Sequence, residues 1–260
     1  MFALYIILGI LGGLMVLLIL ELFIVGFILP SSLFSISVHP FSRSVKPRTE
    51  ASASCDNSRE VVRFEVSGTM IHAWLYLPKG LPNPPCIVMA HGLGGTKAAG
   101  LDPYARRFQL AGFAVLAFDY RHIGESGGEP RQLIWIPKQL EDYAAAVQFA
   151  RGLKHINPDR IALWGTSLSG GHAIMTASKD HRVACVSVQC PMLDGDAGAR
   201  AVVKKYGIKG LLKVVPHAQR DLVRSWLGLS AHTIPLFGKI GTISVISDNE
   251  GWEYWGAPHL

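Results

Sequence analysis

One turn constrains this chain more than any other stretch. Gly165-Thr166-Ser167-Leu168-Ser169-Gly170-Gly171 follows the apolar run Arg160-Ile161-Ala162-Leu163-Trp164 and precedes His172-Ala173-Ile174-Met175-Thr176-Ala177. The first flank has strand character and the second reads as a helix. A strand and a helix joined so tightly nearly touch, so the positions two places either side of the central residue must be small. Gly165 and Ser169 meet that demand. Such a bend lifts the Ser167 hydroxyl clear of a sheet. It also leaves the Leu168 N–H at the start of a helix, where an unpaired donor can stabilise an oxyanion. A glycine-rich turn with an ordinary serine has the same sequence, so the surroundings must decide.

Those surroundings alternate between strand and helix patterns. Residues 61–66 and 71–77 alternate well enough for a hairpin about Ser67-Gly68, and 78–85 form a turn. Strands are predicted at 86–90, 113–118, 161–164 and 183–188, with helices at 102–111 and 139–153. This order implies a parallel sheet with helices on both faces. In such sheets the site lies beyond the C-terminal strand ends. The loops after Ala90, Phe118, Trp164 and Val188 therefore share one rim.

Three rim segments resemble one family. His91-Gly92-Leu93-Gly94-Gly95 is similar to the loop that supplies an oxyanion donor in α/β-hydrolases. Asp119-Tyr120-Arg121-His122-Ile123-Gly124-Glu125-Ser126-Gly127 resembles the loop after the next strand, with His122 where glycine is usual. The elbow at Ser167 is the third. Over residues 60–240 the chain thus resembles the α/β-hydrolase superfamily. The Gly-Thr-Ser-Leu-Ser-Gly-Gly-His run and Arg220-Asp221-Leu222-Val223-Arg224-Ser225-Trp226-Leu227 look like the fungal polyketide transferase group. That group is similar to dienelactone and X-Pro dipeptidyl-peptidase hydrolases and is associated with secondary metabolism. The resemblance implies Ser167 as nucleophile and the Leu93 and Leu168 N–H groups as oxyanion hole, with no metal or organic cofactor. It also implies structural roles for His91, which orders its loop, and for Asp119 and Arg121, which pair or cap within theirs. His172 faces along its helix, and Ser169 is simply small.

A serine nucleophile needs a base, and the base an orienting acid. In this superfamily the acid and then the histidine follow the serine. Asp194, after the sixth strand, is a candidate acid; its alternative is a turn residue before Gly195. A strand at 242–247 could carry Asp248, with His259 beyond. The gap between them leaves no room for a further helix, which alone takes about eleven residues. His217, His232 and His259 are the available histidines, and none has a telling context. The expected architecture is an α/β-hydrolase sheet with a helical cap, C-terminally incomplete with its last strands missing. Two functions stay open. One is a serine hydrolase or acyltransferase working on a polyketide-type ester or thioester. The other is an inactive or truncated fold that acts as a membrane-tethered binding protein.

Residues 2–29 are apolar or small except Glu21, and 2–20 alone could cross a bilayer as a helix. No lysine or arginine precedes the run, Pro30 follows it, and Arg43, Lys46 and Arg48 lie beyond. The pattern predicts a single-pass membrane protein with its hydrolase domain in the cytosol; a signal peptide or a misassigned start are the alternatives. The expected domains are an anchor at 1–30, a Ser/Pro-rich linker at 31–59, a core at 60–195, a cap-like helical insertion at 196–240 and a tail at 241–260. A net charge of +6 without a basic tail or zinc-finger spacing argues against nucleic-acid binding. Arg200, Lys204, Lys205, Lys209 and Lys213 recur at helical spacing. They form either a solvated face or an attraction to an anionic partner, phospholipid heads or a phosphopantetheine-borne acyl donor. Cys55, Cys86, Cys185 and Cys190 form no Cys-x-x-Cys pattern; Cys86 and Cys185 read as reduced core residues.

Overall fold

The computed structural model describes residues 59–249 and begins with the expected hairpin. β1 (Arg59–Val66) and β2 (Thr69–Tyr76) pair antiparallel about Ser67 and Gly68, whose φ angles are 47° and 77°. Two successive left-handed residues twist the chain in the sense the strands require. Next come β3 (Cys86–Ala90), α1 (Leu101–Leu110), β4 (Ala114–Phe118), α2 (Ile136–Gly152), β5 (Ile161–Thr166), α3 (Leu168–Lys179) and β6 (Cys185–Gln189). The six strands form one sheet in the order β1-β2-β4-β3-β5-β6. β4, β3, β5 and β6 run parallel, and β2 joins β4 antiparallel, so the sheet is mixed.

Strand residues alternate between two buried layers, as a period of two requires. Cys86, Val88, Leu116, Phe118, Ile161 and Leu163 meet Tyr143, Ala146, Val147 and Ala150 of α2 on one face. Ile87, Met89, Val115, Ala117 and Trp164 meet Leu101 and Ala105 of α1 on the other. Each fully buried Val, Leu, Ile or Phe contributes about 1.5–3 kcal/mol. The Tyr143 hydroxyl bridges the Val88 and Trp164 carbonyls at 3.1 and 2.8 Å, which ties α2 to the two strands that flank the site.

β6 is different. Among the described residues it pairs on one side only, and its side chains alternate between exposed and half-buried. Cys86 is fully buried, but Cys185 is exposed, which corrects its assignment to the core. The apolar run around Cys185 is an edge strand, where alternation reports contact with one neighbour rather than burial. Beyond it lie α4 (Gly195–Trp226), β7 (Phe237–Gly238) and β8 (Ile246–Ser247). α4 is broken at Gly207 (φ 69°, ψ 173°) and continues through Pro216. β7 and β8 form a separate parallel pair. The strand expected at 242–247 is therefore two residues long and does not extend the main sheet.

The expected membrane localisation is corrected. Among the described residues no helix is long and apolar enough to cross a membrane. The proposed anchor at 1–30 lies outside the described residues, as do most of the linker and the end of the tail.

Candidate active site

Ser167 stands between β5 and α3 with φ 55° and ψ −118°. A residue with a Cβ pays about 1–3 kcal/mol to sit there, and such strain persists only when its surroundings over-determine it. They do. The Ser167 N–H donates to the Gln189 carbonyl at 2.9 Å, and the Ser167 carbonyl accepts from Met192 N at 2.9 Å and Gly170 N at 3.0 Å. A Cβ on Gly165 would lie 2.2 Å from the Ser169 carbonyl oxygen, and one on Gly171 would lie 2.1 Å from that of Met192. Glycine at both places lets strand, helix and following loop close around the serine.

Ser169 does more than stay small. Its buried hydroxyl donates to the Ala90 carbonyl at 2.7 Å and accepts from the Thr166 N–H at 2.9 Å. It thereby pins the elbow to the end of β3, where the His91–Leu93 segment begins. A Cβ on Gly92 would lie 3.2 Å from the Ser167 Cβ, so this loop runs directly against the serine. Leu93 N and Leu168 N have no hydrogen-bond partner among the described residues. Unpaired backbone donors of this kind are what an oxyanion requires.

The loop after β4 braces this arrangement. The buried Asp119 carboxylate accepts from Lys97 N at 2.7 Å, Lys97 Nζ at 2.6 Å and Glu125 N at 3.0 Å. Arg121 donates to Asp142 at 2.6 Å and to Glu141 at 2.7 Å, both on α2. Asp119 thus caps within its own loop through Glu125 N and also pairs with Lys97, whereas Arg121 pairs with α2 rather than within the loop. His91 Nδ1 lies 2.9 Å from the Gly92 carbonyl, which fits a loop-ordering role. His172 Nδ1 lies 3.4 Å from the buried Tyr120 hydroxyl. Burial lowers the pKa of both rings, that of His172 to about 4, so both are neutral at pH 7.

Among the described residues no imidazole nitrogen reaches Ser167 Oγ. His217 and His232 bond to each other at 2.7 Å, with stacked rings. His259 lies outside the described residues. Asp194 is exposed and caps α4, accepting from Asp196 N at 2.8 Å and Ala197 N at 3.0 Å. Those two N–H donors hold its carboxyl below its ordinary pKa. In place of an acid aimed at a histidine, the structure gives Asp194 a helix cap. Asp248 ends the β7–β8 pair, its N–H donating to the Gly238 carbonyl at 3.0 Å. Arg200, Lys204 and Lys213 are exposed along α4; the side chains of Lys205 and Lys209 lie outside the description. Sequence reasoning missed Lys97 and the Ser169 hydroxyl, whose partners lie 22 and 79 residues away.

Among curated relatives, the quorum-quenching protein AidA of Acinetobacter baumannii is 41% identical over 186 residues, 72% of this chain and 60% of that protein. The thiohydrolase aneE of Aspergillus aculeatus is 43% identical over 135 residues, 52% of this chain and 42% of that protein. Polyketide transferases of Aspergillus fumigatus and Stachybotrys chlorohalonatus are also similar, at 32% and 36% identity. The α/β-hydrolase GrgF from Penicillium superimposes with a TM-score of 0.60 at 27% identity, covering 71% of this chain and 61% of that one. The chain spans about a third to three-fifths of the length of the curated relatives it matches. The X-Pro dipeptidyl-peptidase (S15) family matches residues 67–210, more than half of the chain. A strained serine at a strand–helix elbow, on a mixed sheet with this strand order, agrees with that match: the chain belongs to the S15 family of α/β-hydrolases.

Proposed function

We propose that this chain is a serine hydrolase or acyltransferase that acts on polyketide-type esters or thioesters in secondary metabolism. One observation carries the reading: Ser167 holds φ 55° at a strand–helix elbow packed against the β3 loop so closely that a Cβ on Gly92 would lie 3.2 Å from its own Cβ, and the Leu93 and Leu168 N–H groups are unpaired among the described residues. In this reading Ser167 Oγ bonds to the substrate carbonyl carbon as its proton passes to a base outside residues 59–249. The carbonyl oxygen takes up the negative charge between the Leu93 and Leu168 N–H groups. The C–O or C–S bond then breaks, and the alcohol or thiol leaves with the proton. Water or an acceptor hydroxyl next attacks the acyl-enzyme and frees Ser167. The relatives' names, thiohydrolase and polyketide transferase, support an ester or thioester rather than a peptide as substrate. The exposed cations of α4 favour an acyl donor on an anionic phosphopantetheine arm, an attraction that added salt weakens.

The test is an alkyl fluorophosphonate probe on the intact chain. Labelling that disappears in Ser167→Ala supports the enzyme. No labelling of the wild type at neutral pH supports the second reading, a non-catalytic fold that binds acyl compounds. That reading is favoured by the absence of a base for Ser167 among the described residues.

A further inference from the structure

The geometry points to Lys97 as a positioning residue that clamps the oxyanion loop, holding the Leu93 N–H where Ser167 can use it. The kinetic side of this inference rests on the proposed role of Ser167; the structural side does not.

Lys97 is fully buried, which a lysine rarely is without a dedicated partner. It has two. Its Nζ donates to Asp119 Oδ2 and to Glu125 Oε2, each at 2.6 Å, and lies 4.9 Å from the centre of the Trp74 ring. Its backbone N–H donates to the other Asp119 oxygen at 2.7 Å. Main chain and side chain of one residue thus grip both oxygens of a carboxylate at the end of β4. Asp119 is fixed in turn. Glu125 N donates to Oδ2 at 3.0 Å, and Ser126 Oγ donates to the Asp119 carbonyl at 2.7 Å. Gly124 leaves space for the carboxylate, since a Cβ there would lie 2.2 Å from Oδ2.

The grip matters because of where it falls. The loop leaves β3 at Ala90, which Ser169 holds through its hydroxyl at 2.7 Å. It returns to the frame at Lys97. His91 sits near the first anchor, with Nε2 3.7 Å from Asp119 Oδ1. Between the anchors lie Gly92, Leu93 and Gly94, and few other bonds hold them: Gly95 N donates to the Gly92 carbonyl at 3.2 Å, within the loop itself. Leu93 N can therefore keep its place beside Ser167 only if both ends of the loop are fixed. An uncompensated Asp119 would also recruit water into the space behind the loop, because a buried charge without a partner is strongly disfavoured.

The experiment compares wild type, Lys97→Met and Glu125→Gln as full chains. Hydrogen–deuterium exchange is read on peptides covering residues 91–96. In parallel, kcat and KM are measured for p-nitrophenyl acetate, with fluorophosphonate labelling rates alongside. Expected for Lys97→Met is exchange faster by about tenfold in 91–96, with the β5 and α2 peptides unchanged. The kcat should fall by about 100-fold with KM little changed, the signature of a lost oxyanion donor. Glu125→Gln, which removes one exposed partner, should show the same pattern more weakly, and it decides the matter if Lys97→Met does not fold. Unchanged exchange in 91–96 in the folded variants overturns the clamp, whatever the activity does. So does a rise in KM at constant kcat. If the wild type fails to react with the probe while exchange still rises in the variants, the proposed function falls and the clamp stands.

Discussion

Up to the end of β6, polar groups bond across the fold; beyond it, they mostly bond to their own neighbours. Ser169 reaches 79 residues back to Ala90, Tyr143 reaches 55 to Val88, and Lys97 and Arg121 reach 22 and 21 residues forward. After β6, Asp194 caps residues two and three places on, Arg224 holds Ser230, Thr242 bonds Lys239 and Ser244 bonds Ser247. Longer reaches here join Lys213 to the Gly241 carbonyl, His217 to His232 and His232 N to Asp221, all among residues beyond β6. Long-range bonds fix positions relative to one another, and short-range bonds fix only the shape of a segment. Ser167 and the proposed oxyanion donors sit in the first kind of structure. Asp194, the candidate acid, sits in the second.

This contrast can be broken most directly at Ser167. Ser167→Ala should lower esterase kcat/KM by about 10⁴-fold or more, with the thermal transition little changed. Activity surviving at wild-type level would show that the over-determined region is scaffold only. Next comes stability. Leu163→Ala, in the doubly covered layer, should cost about 2–5 kcal/mol in urea melts. Leu193→Ala, exposed beyond β6, should stay within about 0.5 kcal/mol. Equal costs would erase the distinction.

Acid should separate the regions further. Burial keeps folded His172 neutral down to about pH 4, whereas an unfolded imidazole titrates near 6.5. Between those values the unfolded chain binds the extra proton, so stability is full above pH 6.5 and falls as pH drops toward 4. His91, His72 and His122 are shifted the same way by burial. The loss through His172 amounts to up to about 3 kcal/mol, and His172→Gln should flatten the pH dependence of urea melts over this window. Asp194→Ala should lower the urea midpoint slightly through the lost cap. The fluorophosphonate labelling rate should not change; a large fall would restore Asp194 as a working acid.

The elbow, the hairpin and the parallel strands could be read from the sequence because each is a local pattern: small residues about Ser167, Ser67-Gly68 between alternating runs, apolar segments of strand length. What escaped reading depends on tertiary pairing. Lys97 reads as a solvated charge until β4 brings Asp119 beside it. Ser169 reads as a spacer until β3 presents the Ala90 carbonyl. Asp119 and Arg121 lie in the irregular loop beyond Phe118, where no strand period sets side-chain direction, and one pairs with Lys97 while the other pairs with Asp142 of α2. Cys185 was misread because an apolar run cannot show how many strands will flank it.

The φ of Ser167 has a consequence for evolution in the laboratory. A glycine at this position adopts the same backbone without steric penalty. Ser167→Gly should therefore give a protein about 1 kcal/mol harder to unfold and chemically silent. Selection for thermal resilience alone would drift toward that silent form, and only a screen that also demands turnover would keep the hydroxyl.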